Sequence, residues 1–202
     1  MTLFYLLFKM QSTLIKRKKR YIKSPLNKMI IYHSKIKHKI MNLIFTEQIN
    51  KKPSYFIEKI SNSLLLGMDE YLKYLALYEN KFGKKWDGAL SAMKPKKHSI
   101  REDKADRWKV GMLIHFIINP YNSNRFQFAP TLPVTELQKI LILTVDVPSI
   151  MVFVDGRKLD RFEVEELAIN DGFDNLEDFI NYFKGKQDFE GKIIHWTHDF
   201  KY

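Results

Sequence analysis

A lysine, a serine and an arginine lie close together near the middle of the chain, in the stretch from Lys96 to Asp103. In an extended strand, alternation places Lys97, Ser99 and Arg101 on one face, and a loop before the strand can bring Lys96 there instead. A desolvated, neutral lysine can take the proton of a neighbouring hydroxyl, which is the chemistry of Ser/Lys amide hydrolysis. A charged edge strand with solvated side chains has the same spacing, so the residues alone leave both interpretations open.

The histidines are the other candidate ligands, because the chain contains six of them and no cysteine. His195 and His198 are three residues apart, a separation that puts them on opposite faces of an extended segment. No His-Glu-x-x-His motif or cluster of carboxylates accompanies them. We therefore expect no metal site, and the lack of cysteine excludes disulfides and thiol catalysis.

The elements that carry these residues follow from the spacing of the apolar residues. A helical period runs through residues 55–64 and again through 69–82, where Gly83 is placed to end the second helix. After Lys97 the pattern changes to apolar runs rich in β-branched residues, which is typical of strands. The predicted strands are Asn42–Phe45, His98–Arg101, Met112–Ile118, Arg125–Phe128, Glu136–Val145, Ile150–Val154 and Lys192–Trp196, and further helices are predicted from Glu163 to the interruption at Asp171-Gly172 and over Leu176–Phe183. This order predicts an α+β domain.

The basic excess of the chain lies at one end. The formal net charge is +11, yet residues 1–40 hold 11 lysines and arginines and no acidic residue, whereas residues 41–202 carry 23 of each sign. We expect this tail to be unstructured and solvated, with a nucleic-acid or anionic-membrane patch at Lys16–Arg20 as an alternative. A third interpretation is that translation starts at Met41 and that the tail is not native.

The apolar opening of the chain, Met1–Phe8, is far shorter than a membrane span and precedes its positive charges instead of following them. We therefore expect no secretion signal and no membrane partner. The absence of cysteine is compatible with a reducing compartment, and we expect a cytoplasmic protein.

The ordered motifs resemble those of a known family. Lys96-x-x-Ser99-Ile-Arg101-Glu, followed by Trp108-Lys-Val-Gly111 and an apolar strand, is similar to the core of the ASCH domain. The resemblance covers most of residues 41–202, and a helical segment at about 66–93 looks like an insertion. It implies a PUA-like, partly closed β-barrel with helices at its rim.

The resemblance is nearest to small bacterial ASCH amidohydrolases that remove the acetyl group from N4-acetylcytidine and carry Lys-x-x-Thr-Ile-Arg. It implies that Ser99 is the nucleophile or hydroxyl donor and that Lys96 activates it. Asp171, at or close to the position of a catalytic Glu in those enzymes, would shuttle a proton to the departing amine, and Arg101 would orient the base or stabilise charge. Lys97 would contact the substrate, and no cofactor is needed.

These observations predict an ASCH-like domain over residues 41–202 that binds a modified nucleoside, a nucleotide or RNA in a cleft, with hydrolysis of N4-acetylcytidine-type amides as the enzymatic version. One alternative is a noncatalytic RNA-binding module in which Lys96, Lys97, Arg101 and Arg107 contact phosphate. Another is a protein-interaction domain whose helical insertion is the functional surface.

Overall fold

A computed structural model describes residues 39–49, 51–64, 66–86, 93–146, 149–184, 188–198 and 200–202. Residues 1–38 of the predicted tail, which spans residues 1–40, lie outside these ranges, and Lys39–Tyr202 forms one compact unit. The described part contains four helices and eleven strands, which confirms the predicted α+β class. In chain order these are β1 (Ile40–Phe45), β2 (Gln48–Ile49), β3 (Lys52–Pro53), α1 (Phe56–Leu64), α2 (Met68–Phe82), β4 (His98–Arg101), β5 (Leu113–Ile118), β6 (Phe126–Gln127), β7 (Leu132–Pro133), β8 (Glu136–Asp146), β9 (Ser149–Val154), β10 (Arg157–Lys158), α3 (Arg161–Asn170), α4 (Leu176–Phe183) and β11 (Phe189–His195).

The larger sheet has five strands in the order β10-β9-β8-β11-β4, and all its neighbours run antiparallel. Alternate residues of β8 and β9 point to the same face, so Ile140 and Ile142 are buried together with Val152. Helices α3 and α4 cover this face through Leu167 and Phe179, which lie in the same apolar core. This sheet therefore holds β4, the strand of the Lys/Ser/Arg motif, at its edge.

The smaller sheet is built around β5, which pairs in parallel with β1 and antiparallel with β6 and β7. Ile114, Phe116 and Ile118 of β5 are almost completely buried, as expected for a strand inside a core. A parallel pair needs a long crossover connection, and here the crossover from β1 contains α1 and α2. Strand β1 is left at the edge of this sheet.

Helix α2 confirms the helical character of residues 68–82 in the predicted insertion. Gly83 ends it in the left-handed conformation (φ 66°), and its N–H donates to the Glu79 carbonyl at 2.8 Å. Tyr78 is the buried residue of α2, and its ring lies 5.8 Å from those of both Trp86 and Phe126. The helix is thus joined to the core, and residues 87–92 of the predicted insertion lie outside the described residues.

The sheets do not close into a barrel within the described residues, so the predicted partly closed barrel is not confirmed. Edge strand β4 of the larger sheet and edge strand β1 of the smaller one are joined by a side chain instead. The Nη2 atom of Arg101 in β4 donates to the Ile44 carbonyl of β1 at 2.6 Å. A cavity lies at this join.

None of the described helices has the length and apolar character needed to cross a bilayer.

Candidate functional site

A cavity of about 270 Å³ lies where β1, the start of α1, β4 and the segment after α3 meet. Its floor and walls combine three charged side chains with aromatic and aliphatic ones. The lining residues are Ile44, Thr46, Gln48, Ile49, Phe56, Lys96, Ser99, Ile100, Arg101, Asp171, Phe173, Tyr182 and Phe183. Four of the five residues predicted to form a site, namely Lys96, Ser99, Arg101 and Asp171, therefore face one volume.

Lys96 and Asp171 form a buried ion pair. Lys96 Nζ lies 2.9 Å from Asp171 Oδ1 and also donates to the backbone carbonyl of Asp171. The lysine is only 1% exposed, and its ammonium group lies 4.8 Å from the ring centroid of Phe56. An aspartate is thus long enough to reach this lysine, although the resembling enzymes have a glutamate there.

The backbone around the pair explains the Asn-Asp-Gly sequence that ends α3. Gly172 has φ +93°, a conformation that favours glycine, and a Cβ atom there would lie 2.9 Å from Lys96 Cδ and from Phe56 Cε1. Lys96 is fixed from the other side as well, because its N–H donates to the Lys59 carbonyl at 2.9 Å. The glycine therefore ends the helix and also leaves room for the lysine side chain.

Burial and charge set the protonation states of the pair. Desolvation lowers the pKa of Lys96 from 10.5 to about 8, although the Asp171 carboxylate partly offsets this effect. Burial acts to raise the pKa of Asp171, but Lys96 and His98 outweigh it and the net direction is downward. At neutral pH the pair is an ammonium and a carboxylate, with a small fraction of neutral amine.

Arg101 contributes a second cation to the cavity. Burial lowers the pKa of its guanidinium group, which remains charged, and the nearby Asp171 carboxylate acts in the opposite direction. The guanidinium carbon lies 5.3 Å from the ring centroid of Phe45, and Nη2 is bonded to Ile44. Arg101 therefore holds the two sheet edges together while lining the cavity.

Ser99 lies on β4, where it pairs with Ile194 of β11, and is 2% exposed. Among the described residues its hydroxyl makes no hydrogen bond, either to Lys96 or to another group. The structure thus brings the serine to the cavity but pairs the lysine with Asp171. For Ser99 to be activated, Lys96 Nζ must first lose a proton and then accept a hydrogen bond from the Ser99 hydroxyl.

Lys97 is the predicted site residue that does not join the others. It precedes β4, its N–H donates to the Asn170 carbonyl at 2.8 Å, and it is absent from the cavity lining. Its Nζ lies 5.0 Å from the ring centroid of Phe200. The loop before the strand brings Lys96 to the cavity instead, which is the alternative that the sequence left open.

A hydrogen-bonded chain behind Asp171 was missed by sequence reasoning. Asn170 Nδ2 donates to the Tyr202 hydroxyl at 2.9 Å, and that hydroxyl lies 2.9 Å from His98 Nε2. His98 Nδ1 lies 3.6 Å from Asp171 Oδ1, just beyond hydrogen-bond distance, and makes no hydrogen bond to another described group. If the proton of the His98 ring is on Nδ1, the Nδ1–H group lies towards the Asp171 carboxylate, which favours this tautomer over one with a lone pair there. Nε2 then accepts a hydrogen bond from the Tyr202 hydroxyl.

The other histidine of this region is also buried. His195 Nε2 lies 3.2 Å from Gln138 Oε1, and its ring centroid is 5.3 Å from that of His98. Burial lowers the pKa of His98 and lowers that of His195 to about 3, so both rings are neutral at physiological pH. The sequence does not reveal the packing of His195 against His98 and Gln138, because these residues lie far apart along the chain.

No group of three or more potential metal ligands of the His, Cys, Asp or Glu type occurs within the described ranges. The histidines near the cavity serve hydrogen bonding and packing.

A second cavity, of about 280 Å³, adjoins the first and shares Thr46, Gln48 and Phe56 with it. Its other walls include Glu58 of α1 and Tyr78 of α2. The two cavities lie on either side of Phe56. Because Tyr78 of the predicted insertion lines the second cavity, the insertion forms part of the surroundings of the site.

The chain matches no family model, and comparison with curated proteins and with solved structures finds no match.

Proposed function

We propose that this protein is an ASCH-type amidohydrolase with a PUA-like fold, which binds a modified nucleoside, nucleotide or RNA residue and hydrolyses an N4-acetylcytidine-type amide. The observation that carries the proposal is the convergence of Lys96, Ser99, Arg101 and Asp171 on one cavity, although Lys96 and Asp171 are 75 positions apart. These residues were identified from sequence motifs, which contain no information on the distances between them in the fold. Their meeting is therefore independent support.

In the first step the Ser99 Oγ atom attacks the acyl carbon of the amide, and neutral Lys96 takes the hydroxyl proton. A depressed lysine pKa favours this role, because about one molecule in ten carries the neutral amine at pH 7 if the pKa is about 8. Arg101 lines the same cavity and can hold the substrate in place for this attack.

In the second step the tetrahedral intermediate collapses and the bond between the acyl carbon and nitrogen breaks. The proton held by the Lys96–Asp171 pair passes to the departing exocyclic amine, which gives cytidine and an acyl-serine. Water then attacks the acyl-serine with the same pair as base, releases acetate and restores the Ser99 hydroxyl. The cycle uses one water and needs no cofactor.

The remaining walls suit a planar base. Phe56, Phe173, Tyr182 and Phe183 line the cavity beside the charged groups, and aromatic side chains stack on nucleobases. The volume of about 270 Å³ lies near the lower end of small-molecule sites, which favours a single nucleoside unit over a strand.

The test is release of cytidine and acetate from N4-acetylcytidine by the full chain, followed by chromatography. We expect turnover that falls at least about a hundredfold in Ser99→Ala and in Lys96→Met, because each loses a group used in bond making or proton transfer. Ser123→Ala, a substitution in an exposed loop, is the matched control and keeps the activity of the natural chain.

Folded protein without turnover of this amide would overturn the enzymatic proposal. Turnover that survives Ser99→Ala but not Lys96→Met would overturn the serine as nucleophile and indicate direct attack by water. Circular dichroism of each variant separates loss of chemistry from loss of fold.

One observation favours a second candidate, a noncatalytic module that binds the same class of ligand. The Ser99 hydroxyl is not bonded to Lys96, whereas the lysine is held by Asp171. A binding module needs only this arrangement, and it predicts that the natural chain binds cytidine derivatives and leaves the amide intact.

A further inference from the structure

The charges that face the cavity do not balance. Lys96 and Arg101 are cations, Asp171 is an anion, and the other lining residues are uncharged. Lys59 is also buried nearby, but its Nζ is already paired with Asp174 Oδ1 at 2.7 Å. The cavity lining therefore carries one net positive charge when the lysine is protonated.

Arg101 is the cation without a carboxylate partner. No ion pair within 4 Å involves it in the part of the chain that the structure describes, and its hydrogen bond to the Ile44 carbonyl is the one it makes there. A guanidinium group has five N–H donors, so most of its donor capacity is unused. These donors suit an oxyanion, which a guanidinium group binds through two parallel hydrogen bonds.

An uncompensated charge in a partly desolvated site costs free energy until an opposite charge approaches it. Asp171 compensates Arg101 only in part, because it lies beyond 4 Å and its Oδ1 already accepts from Lys96 Nζ and from the Ile100 N–H, both at 2.9 Å. Water or a ligand must therefore satisfy the guanidinium group. A ligand that carries an oxyanion would supply both hydrogen-bond acceptors for the guanidinium group and the missing negative charge.

We propose that the natural ligand carries an oxyanion group that binds Arg101, and that it is a nucleoside monophosphate and not an uncharged nucleoside. The inference rests on the proposed function, because the aromatic walls that would stack the base belong to the same cavity. A phosphate and a carboxylate share the chemistry that Arg101 recognises. The test below separates these two sources of charge.

The experiment is calorimetric titration of the full chain at pH 7 with four probes: cytidine, cytidine 5′-monophosphate, inorganic phosphate and acetate. We expect the monophosphate to bind at least about tenfold more tightly than cytidine, and phosphate to compete with it more strongly than acetate does. Stronger competition by acetate would identify a carboxylate as the source of charge and overturn the nucleotide assignment.

Substitutions of Arg101 test whether this residue binds the phosphate group. Arg101→Gln should remove the preference for the monophosphate and leave cytidine binding within about twofold, and Arg101→Lys should keep part of it. Arg157→Gln is the matched control, because Arg157 is exposed and pairs with Glu163 away from the cavity. A preference that persists in folded Arg101→Gln would overturn the assignment.

A second measurement keeps the inference testable if Arg101→Gln does not fold. In the natural chain, loss of the Lys96 proton above pH about 8 removes the net positive charge, so affinity for the monophosphate should fall between pH 7 and pH 9 while that for cytidine stays constant. Equal binding of cytidine and its monophosphate by the natural chain overturns the inference. Turnover of N4-acetylcytidine without that preference leaves the proposed function standing, whereas a preference without turnover contradicts the enzymatic proposal alone.

Discussion

Asp171 Oδ1 lies 2.9 Å from Lys96 Nζ, and the side chains of both residues are almost completely buried. The same oxygen accepts the Ile100 N–H at 2.9 Å, so one carboxylate ties the loop before β4, β4 itself and the end of α3 together. Removing one partner of a buried pair leaves an uncompensated charge and is more costly than replacing both. The pair is therefore a structural element as well as the centre of the proposed chemistry.

The first prediction concerns the space beside Lys96. Gly172→Ala combines an unfavourable positive φ with contacts of 2.9 Å, so we expect it to lower the free energy of unfolding by about 2 to 4 kcal/mol. Gly156→Ala is the matched control: it has φ +85° but nothing within 4 Å of the added Cβ, and should cost only about 1 kcal/mol. Urea denaturation measures both values, and equal losses would contradict the claim that Gly172 makes room for the lysine.

The second prediction concerns the pH dependence of the proposed activity. A neutral Lys96 is the base, and its pKa is about 8, so kcat/KM should rise about tenfold per pH unit below this value and level off above it. Asp171→Asn removes the anion that stabilises the ammonium form, so the residual activity should reach its plateau at lower pH. Rates measured from pH 6 to pH 10 test this, and a pH-independent rate would rule out the lysine as base.

The third prediction concerns the chain of hydrogen bonds behind Asp171. Tyr202→Phe keeps the ring but leaves Asn170 Nδ2 and His98 Nε2 without their partner, which should lower the free energy of unfolding by about 1 to 3 kcal/mol. Tyr121→Phe, at a position that is 91% exposed, is the control and should change it little. Nitrogen-15 NMR shifts should show the proton of the neutral His98 ring on Nδ1. A proton on Nε2 would mean that His98 donates to the Tyr202 hydroxyl instead of accepting from it.

The fourth prediction concerns acid stability. His98 and His195 have lowered pKa values in the folded protein, so each takes up a proton when the chain unfolds below its ordinary pKa of about 6.5. The unfolded state then binds more protons than the folded state, and stability falls as the pH falls below about 6.5, by up to about 1.4 kcal/mol per pH unit for each histidine.

Urea denaturation between pH 4 and pH 8 measures this slope. His195→Gln removes one of the two groups and should reduce the slope by about half. A slope unchanged in His195→Gln would mean that other groups cause the loss of stability. The stabilising effect of the Asp171 carboxylate is lost as the pH falls below about 5, so the slope above pH 5 is the one that reports the histidines.

The helices and strands were largely predictable from local sequence because burial on one side imposes a period of 3.6 or 2 residues. The predicted helix over 69–82 is α2, and Gly83 ends it as expected. The strand His98–Arg101 is β4 with the same bounds. These features depend on neighbouring residues in the chain and on the conformational freedom of glycine.

How these elements close around the site was not predictable in the same way. Alternation grouped Lys97 with Ser99 and Arg101, but Lys96 lines the cavity because backbone bonds to Lys59 and Asn170 fix the loop before β4. The sheets also meet through Arg101 and the Ile44 carbonyl instead of closing by strand pairing. Both outcomes depend on partners at least 37 positions away along the chain.

The sequence by itself determined the types of chemical group, the local elements and the concentration of positive charge in the first 40 residues. Only the tertiary structure decided that Lys96 pairs with Asp171, that His98 and Tyr202 stand behind this pair, and that Arg101 has no carboxylate partner within the described residues. The physical reason is that desolvation and ion pairing depend on distance in space. Residue type sets the ordinary pKa and the hydrogen-bonding capacity of a group, whereas its surroundings in the fold set its charge and its partners.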